Sequence, residues 1–278
     1  MFSTYKKLSL LFCGAALFAL PLAALAQNAK PDAAPTAKPA DAAPPVSWSL
    51  QHKKGAKNQF RGQAHLVGKT DAGAISLVVK TIQRREISKV EDTGALTWFS
   101  TELSRATTFN EQEISETAKR PVTMTVTNAS GLVTDLKSDI DVQGGDTIIQ
   151  ISGVIIATPV PPKPVKVGDS WDAQYDGALY KGKKFTVTYT YLGRETTFGI
   201  NAYKLQAKGD LPLNTSATDF AKLTGTLYID PASGDAIRAV YNISNLDLNA
   251  AGSSLKVTLD SETTQIIPGV NDKKEVKK

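Results

Sequence analysis

The chain is nearly without the residues that most enzyme chemistry requires. Among 278 residues it holds one cysteine, Cys13, and two histidines, His52 and His65. Cys13 lies in an apolar N-terminal stretch, so a chain that has lost this stretch has no thiol for disulfides, nucleophilic attack or thiolate metal sites. Two histidines cannot build a histidine metal cluster, and a serine triad needs one beside its serine. His52 is followed by Lys53 and Lys54, and His65 shares a polar strand face with Arg61 and Gln63, so both read as surface residues. There is no Gly-x-Ser-x-Gly elbow and no glycine-rich phosphate loop. Paired carboxylates for glycoside hydrolysis have no signature in sequence spacing. The acids Asp139, Asp141 and Asp146 in DLKSDIDVQGGD straddle a strand and a turn instead of forming a calcium loop. The expectation is a protein that is not an enzyme, with no catalytic residue, no metal and no cofactor.

Strong charge is also lacking. The net charge is +5, and removal of Lys6 and Lys7 with the N-terminal stretch leaves +3. The excess is scattered and includes the closing KKEVKK, with no basic run interleaved with aromatics. Nucleic acid is not an expected partner.

Residues 1–26 have the three parts of a secretory signal: basic Lys6 and Lys7, an apolar run from Leu8 to Leu22, and Ala24-Leu25-Ala26. The run is too short to span a bilayer and Pro21 interrupts it. Phe12 stands before Cys13, where lipoprotein signals resemble one another in having a small residue. Cleavage after Ala26 without acylation is expected, giving a periplasmic or secreted protein with no transmembrane segment. Residues 27–45 (QNAKPDAAPTAKPADAAPP) contain no large apolar residue and cannot bury enough surface to offset the entropy of ordering; they form a disordered linker.

From Val46 onward the pattern is β. In FTVTYTYL, Phe185, Val187, Tyr189 and Tyr191 alternate with Thr186, Thr188 and Thr190. PVTMTVT repeats the alternation, which predicts Val122, Met124 and Val126 inward and the threonines outward. LKVTL (255–259) repeats it again. Gly-containing turns such as QGGD (143–146) and AAGSS (250–254) stand at hairpin spacing. The best helix candidate is NEQEISETAKR (110–120).

Two stretches share landmarks. Ser47-Trp48 precedes Gln51 as Ser170-Trp171 precedes Gln174, and Phe60 stands eight residues before Gly68 as Phe185 does before Gly193. Gly131 in NASG and Gly234 in DPASG each close a turn. The pattern predicts a duplication. The first repeat is 46–158, with an insertion about 84–118, and the second is 170–268. A Pro-rich joint, 159–169, separates them, and a basic tail, 269–278, follows. The predicted fold is mainly β: an antiparallel, strongly curved sheet or open barrel built from two duplicated halves, with little helix.

The phrase PPKPVKVGDSW (161–171), with the Thr-rich strands and the YIDPASGDAIRAVY hairpin, resembles an uncharacterised class of exported bacterial β-rich proteins. The resemblance covers about residues 120–268 and implies a structural role for the phrase, with no activity attached. More distantly, the pattern is similar to the half-open barrels of periplasmic lipoprotein carriers, an architectural likeness that transfers no site residue. Binding of an apolar or lipid-like ligand is the leading expectation, with Phe60, Leu66, Phe185, Tyr189 and Tyr191 as candidate lining residues. The alternative is a structural or protein-interaction module that meets another envelope protein. A filled core would favour the second, a continuous apolar cavity the first.

Overall fold

The computed structural model describes residues 44–70, 73–114, 120–140, 145–213, 219–250 and 253–270. The expected signal, most of the linker, Asp141 and most of the basic tail lie outside them.

The described chain forms two antiparallel meanders. The first is β1 (Lys57–Thr70), β2 (Gly73–Val90), β3 (Leu96–Phe109), β5 (Val122–Thr127) and β6 (Val133–Ser138), with a short β4 (Gln112–Ile114) on β3. The second is β7 (Ser170–Tyr175), β8 (Phe185–Thr197), β9 (Ile200–Leu211), β10 (Ala221–Ile229), β11 (Ala236–Ala250) and β12 (Ser253–Ile266). β1 pairs with β12, so the meanders fuse into one sheet with β6 and β7 at its edges. The sheet curls until these edges approach. A 3-10 turn (Ala178–Tyr180) after β7 bridges the gap, with the Tyr180 hydroxyl donating to the Val133 carbonyl at 3.4 Å. The expected antiparallel, strongly curved fold is present, as a barrel nearly closed on itself. Phe60 lies in β1 and Phe185 opens β8; residues 84–114 supply the end of β2, β3 and β4.

Alternation sets the inward face where side chains are large. Phe185, Val187, Tyr189 and Tyr191 are all buried, while Thr186 is exposed and Thr188 and Thr190 are half-buried. β5 is the reverse of its expectation. Thr123, Thr125 and Thr127 are buried and Val122, Met124 and Val126 only half-buried. Register explains the inversion. Thr125 sits opposite Trp98 and Thr127 opposite Leu96, both inward, so the threonines must share that face. The Thr127 hydroxyl accepts the Leu96 N–H at 3.3 Å, which offsets the cost of burying it.

One helix occupies the concave side. α1 (Gly145–Ile155) buries Ile148, Ile151, Val154 and Ile155 in the same core as strands of both meanders. Of the expected QGGD turn, Gly145 and Asp146 open this helix, and Gln143 and Gly144 lie outside the described residues. Thr147, Ile148, Ile149, Ile151, Val154 and Ile155 are β-branched, and such residues lose rotamer freedom in a helix. Tertiary packing, not propensity, holds α1. Gly153 permits the approach: a Cβ there would stand 2.6 Å from Leu179 Cδ2. The predicted helix over 110–120 is not formed at 112–114, which is β4; residues 115–119 lie outside the described set.

The joint carries the chain from the β6 edge to the β7 edge. Val46 and Val165 exchange backbone hydrogen bonds of 2.8 Å, and the Trp48 indole donates to the Pro159 carbonyl at 3.2 Å. Two tight turns lock onto such extended segments. Gly131 has φ +74° and its carbonyl accepts the Thr158 N–H; Gly234 has φ +75° and adjoins Ser49. A Cβ would fall 1.9 Å from Thr158 O in the first case and 2.3 Å from Ser49 O in the second. Both positions need glycine for conformation and for room.

Candidate binding pocket

The inward face is not uniform along the strands. Near the β1–β2 turn it is apolar: Leu66 faces Leu77 on one side and Leu259 on the other. Toward the other end the same registers present Thr81, Gln83, Thr263 and Arg85. A cavity of about 50 Å³ lies at this polar end. Phe60, Gln83, Arg85, Trp98, Ser100 and Thr263 line its sheet side. Ile155, Ile156 and Thr158 close it from the end of α1, with Ala236 and Ala239 of β11 completing the wall. The volume suits a few heavy atoms or waters and is too small for an acyl chain.

Arg85 is the organising charge. Its guanidinium lies over the rings of Phe60 (4.5 Å) and Trp98 (5.2 Å), and its Nη2 donates to Asp235 Oδ1 at 2.8 Å. Asp235 follows the Gly234 turn, and its side chain is 2% exposed. Burial pushes its carboxyl up, but Arg85 and then His52 outweigh this and hold it below the ordinary carboxylate value. The side chain of His52, expected at the surface, is instead only 4% exposed, its Nε2 3.4 Å from Asp235 Oδ1. The hydrogen bond from the Gln51 N–H to the Ser233 carbonyl draws the 49–52 segment onto the Gly234 turn and carries His52 there. A second buried pair lies farther along β3, where Glu102 receives Arg105 through both carboxylate oxygens at 2.6 to 3.1 Å.

Several polar atoms of the lining residues have no hydrogen-bond partner among the described residues: Gln83 Nε2, Arg85 Nε and Thr263 Oγ1. Gln83 is only 3% exposed, so its orphan donor is costly unless something accepts from it.

Of the five residues expected to line a ligand site, the structure brings Phe60 to the cavity. Leu66, Phe185, Tyr189 and Tyr191 sit in the continuous core. That core is aromatic and closely stacked. Phe185 lies 5.2 Å from the Tyr175 ring, Tyr189 5.8 Å from Trp171, and Trp48 5.2 Å from Tyr203. The Tyr175 and Tyr189 hydroxyls bond each other at 2.8 Å, the dry-core solution to buried phenols. Burial pushes both hydroxyls, and that of Tyr241, well above the ordinary tyrosine range. Gln83, Arg85, Trp98 and Thr263 were not anticipated as lining residues. Their signal was present: Gln83 and Arg85 continue the odd-numbered apolar register Ile75, Leu77, Val79, where a charge is anomalous.

The Asp139 backbone N–H and carboxylate pair with Val122, and Asp146 pairs with Lys181, so these acids serve a strand end and a helix start. Among the described residues no helix is long and apolar enough to cross a membrane.

Fold and pocket together define an antiparallel β barrel plugged by its own helix, with a small, mainly apolar pocket at the seam of its two meanders. No protein-family model and no curated protein matches the chain. Among solved structures it is similar to lipovitellin, in a structure titled for lipid–protein interactions, at 11% identity and a TM-score of 0.46. The match covers 81% of this chain and 26% of that one, so the chain spans about a quarter of that protein's length.

Proposed function

We propose that this is an exported, non-enzymatic protein of the cell envelope that binds a lipid-like amphiphile inside its barrel. The observation that carries the reading is the partly open cavity at Arg85. It combines apolar walls from Phe60, Trp98, Ile155 and Ile156 with lining residues whose hydrogen-bonding atoms find no partner among the described residues. The cavity takes the polar end of the ligand. The apolar remainder must displace packed protein, and α1 is the element that yields: it abuts the cavity at Ile155 and is built of weak helix formers. Native mass spectrometry of protein purified from the periplasm is the test. A co-purifying amphiphile that leaves on partial denaturation supports the reading; a bare polypeptide mass, unchanged by added amphiphile, refutes it.

A structural or protein-interaction module is the second reading. The convex face favours it, because the inverted β5 places Met124 beside Phe99, which is 41% exposed. Sedimentation of Phe99→Lys against the parent tests it: unchanged association would count against that face.

A further inference from the structure

Resting on the binder reading above, we infer that the polar end received at Arg85 is a neutral carbonyl acceptor, an ester or amide oxygen, in preference to a carboxylate or phosphate. The first argument is donor chemistry. Gln83, Arg85 and Thr263 line one cavity, and Gln83 Nε2, Arg85 Nε and Thr263 Oγ1 have no hydrogen-bond partner among the described residues. Arg85 Nε can only donate, so the missing group is an acceptor. Gln83, at 3% exposure, cannot turn to bulk water instead.

The second argument is charge. The Arg85 cation is matched by Asp235 at 2.8 Å, and the nearby Arg105 is matched by Glu102 at 2.6 Å. His52 stands on Asp235, 3.4 Å away, and does not line the cavity. An entering anion would therefore be a buried charge with no uncommitted counter-ion among the described lining residues and would compete with Asp235 for Arg85. A carbonyl oxygen takes the same hydrogen bonds without that cost. The cavity, at about 50 Å³, admits a carbonyl and its immediate substituents.

The experiment displaces the neutral dye Nile red from the mature protein with methyl decanoate, decanoate and decane at about pH 8, where decanoate is ionised. The ester should displace the dye at a concentration at least about tenfold lower than the acid, reflecting the desolvation of the carboxylate. Gln83→Leu should weaken the ester about tenfold, the value of one buried hydrogen bond, and leave decane unchanged. Thr263→Val provides the same comparison should Gln83→Leu fold poorly. Decanoate binding as well as the ester, or ester affinity untouched by both substitutions, would overturn the inference and leave the binder reading standing. Failure of the dye and of all three ligands to bind would remove both.

Discussion

The Tyr175–Tyr189 hydroxyl pair offers a quantitative test of whether the second meander encloses a dry interior. Tyr189 is fully buried, stacks on Trp171 at 5.8 Å and shares a 2.8 Å hydrogen bond with Tyr175. Tyr189→Phe keeps the ring and removes the hydroxyl, leaving that of Tyr175 buried without its partner. The cost should be about 1–2 kcal/mol, the desolvation of an orphaned hydroxyl. Tyr175→Phe should cost about as much, because it orphans the buried Tyr189 hydroxyl in turn. The double variant removes both polar groups and should cost about 1 kcal/mol less than the sum of the singles. Tyr189→Ala, which deletes the ring, should cost about 3–5 kcal/mol. Urea unfolding at neutral pH measures all four. Additive single substitutions, each within a few tenths of a kcal/mol of the parent, would show that water reaches these hydroxyls and would refute the dry interior.

The same tyrosines make stability depend on alkaline pH. Burial, and then repulsion between neighbouring tyrosines, holds Tyr175, Tyr189 and Tyr241 well above the ordinary tyrosine value of about 10, so the folded chain keeps protons that the unfolded chain releases. Stability should be intact below pH 10 and fall above it, by up to about 1.4 kcal/mol per pH unit for each tyrosine; a flat urea midpoint beyond pH 10 would contradict this. Asp235→Asn should cost about 3–5 kcal/mol in urea unfolding by stranding the largely enclosed Arg85 guanidinium, and a loss below about 1 kcal/mol would show the pair to be solvated. Gly131→Ala should destabilise far more than Gly199→Ala in thermal melts. The two share φ near +75°, but only Gly131 faces a backbone oxygen at 1.9 Å, whereas Gly199 faces open space. Equal losses would mean that backbone strain alone matters.

The β class, the curvature and the inward face of β8 were legible because large aromatics alternating with threonine leave one sensible orientation. Thr123, Thr125 and Thr127 of β5 were misread because alternation fixes which residues share a face, not which face is inside. That choice came from β3, where Trp98 and Leu96 point inward. α1 was invisible to propensity, since its β-branched residues favour strand and only the concave surface of a sheet far away in sequence makes them helical. His52 was misplaced for a similar reason. Its neighbours Lys53 and Lys54 are exposed, but the turn that buries its side chain lies about 180 residues downstream. The pocket assembles from β1, β2, β3, β11, β12 and the end of α1, so no local motif announced it. The one local clue was Arg85 in an apolar register.

The central claim is that a ligand enters beside Arg85 by displacing α1. Amide hydrogen exchange across residues 145–155, with and without methyl decanoate, tests it most directly. The account predicts faster exchange in α1 and slower exchange in β2 and β3 around Gln83, Arg85 and Trp98 when the ester is bound. Exchange in α1 that is unchanged or slowed by saturating ester would contradict it.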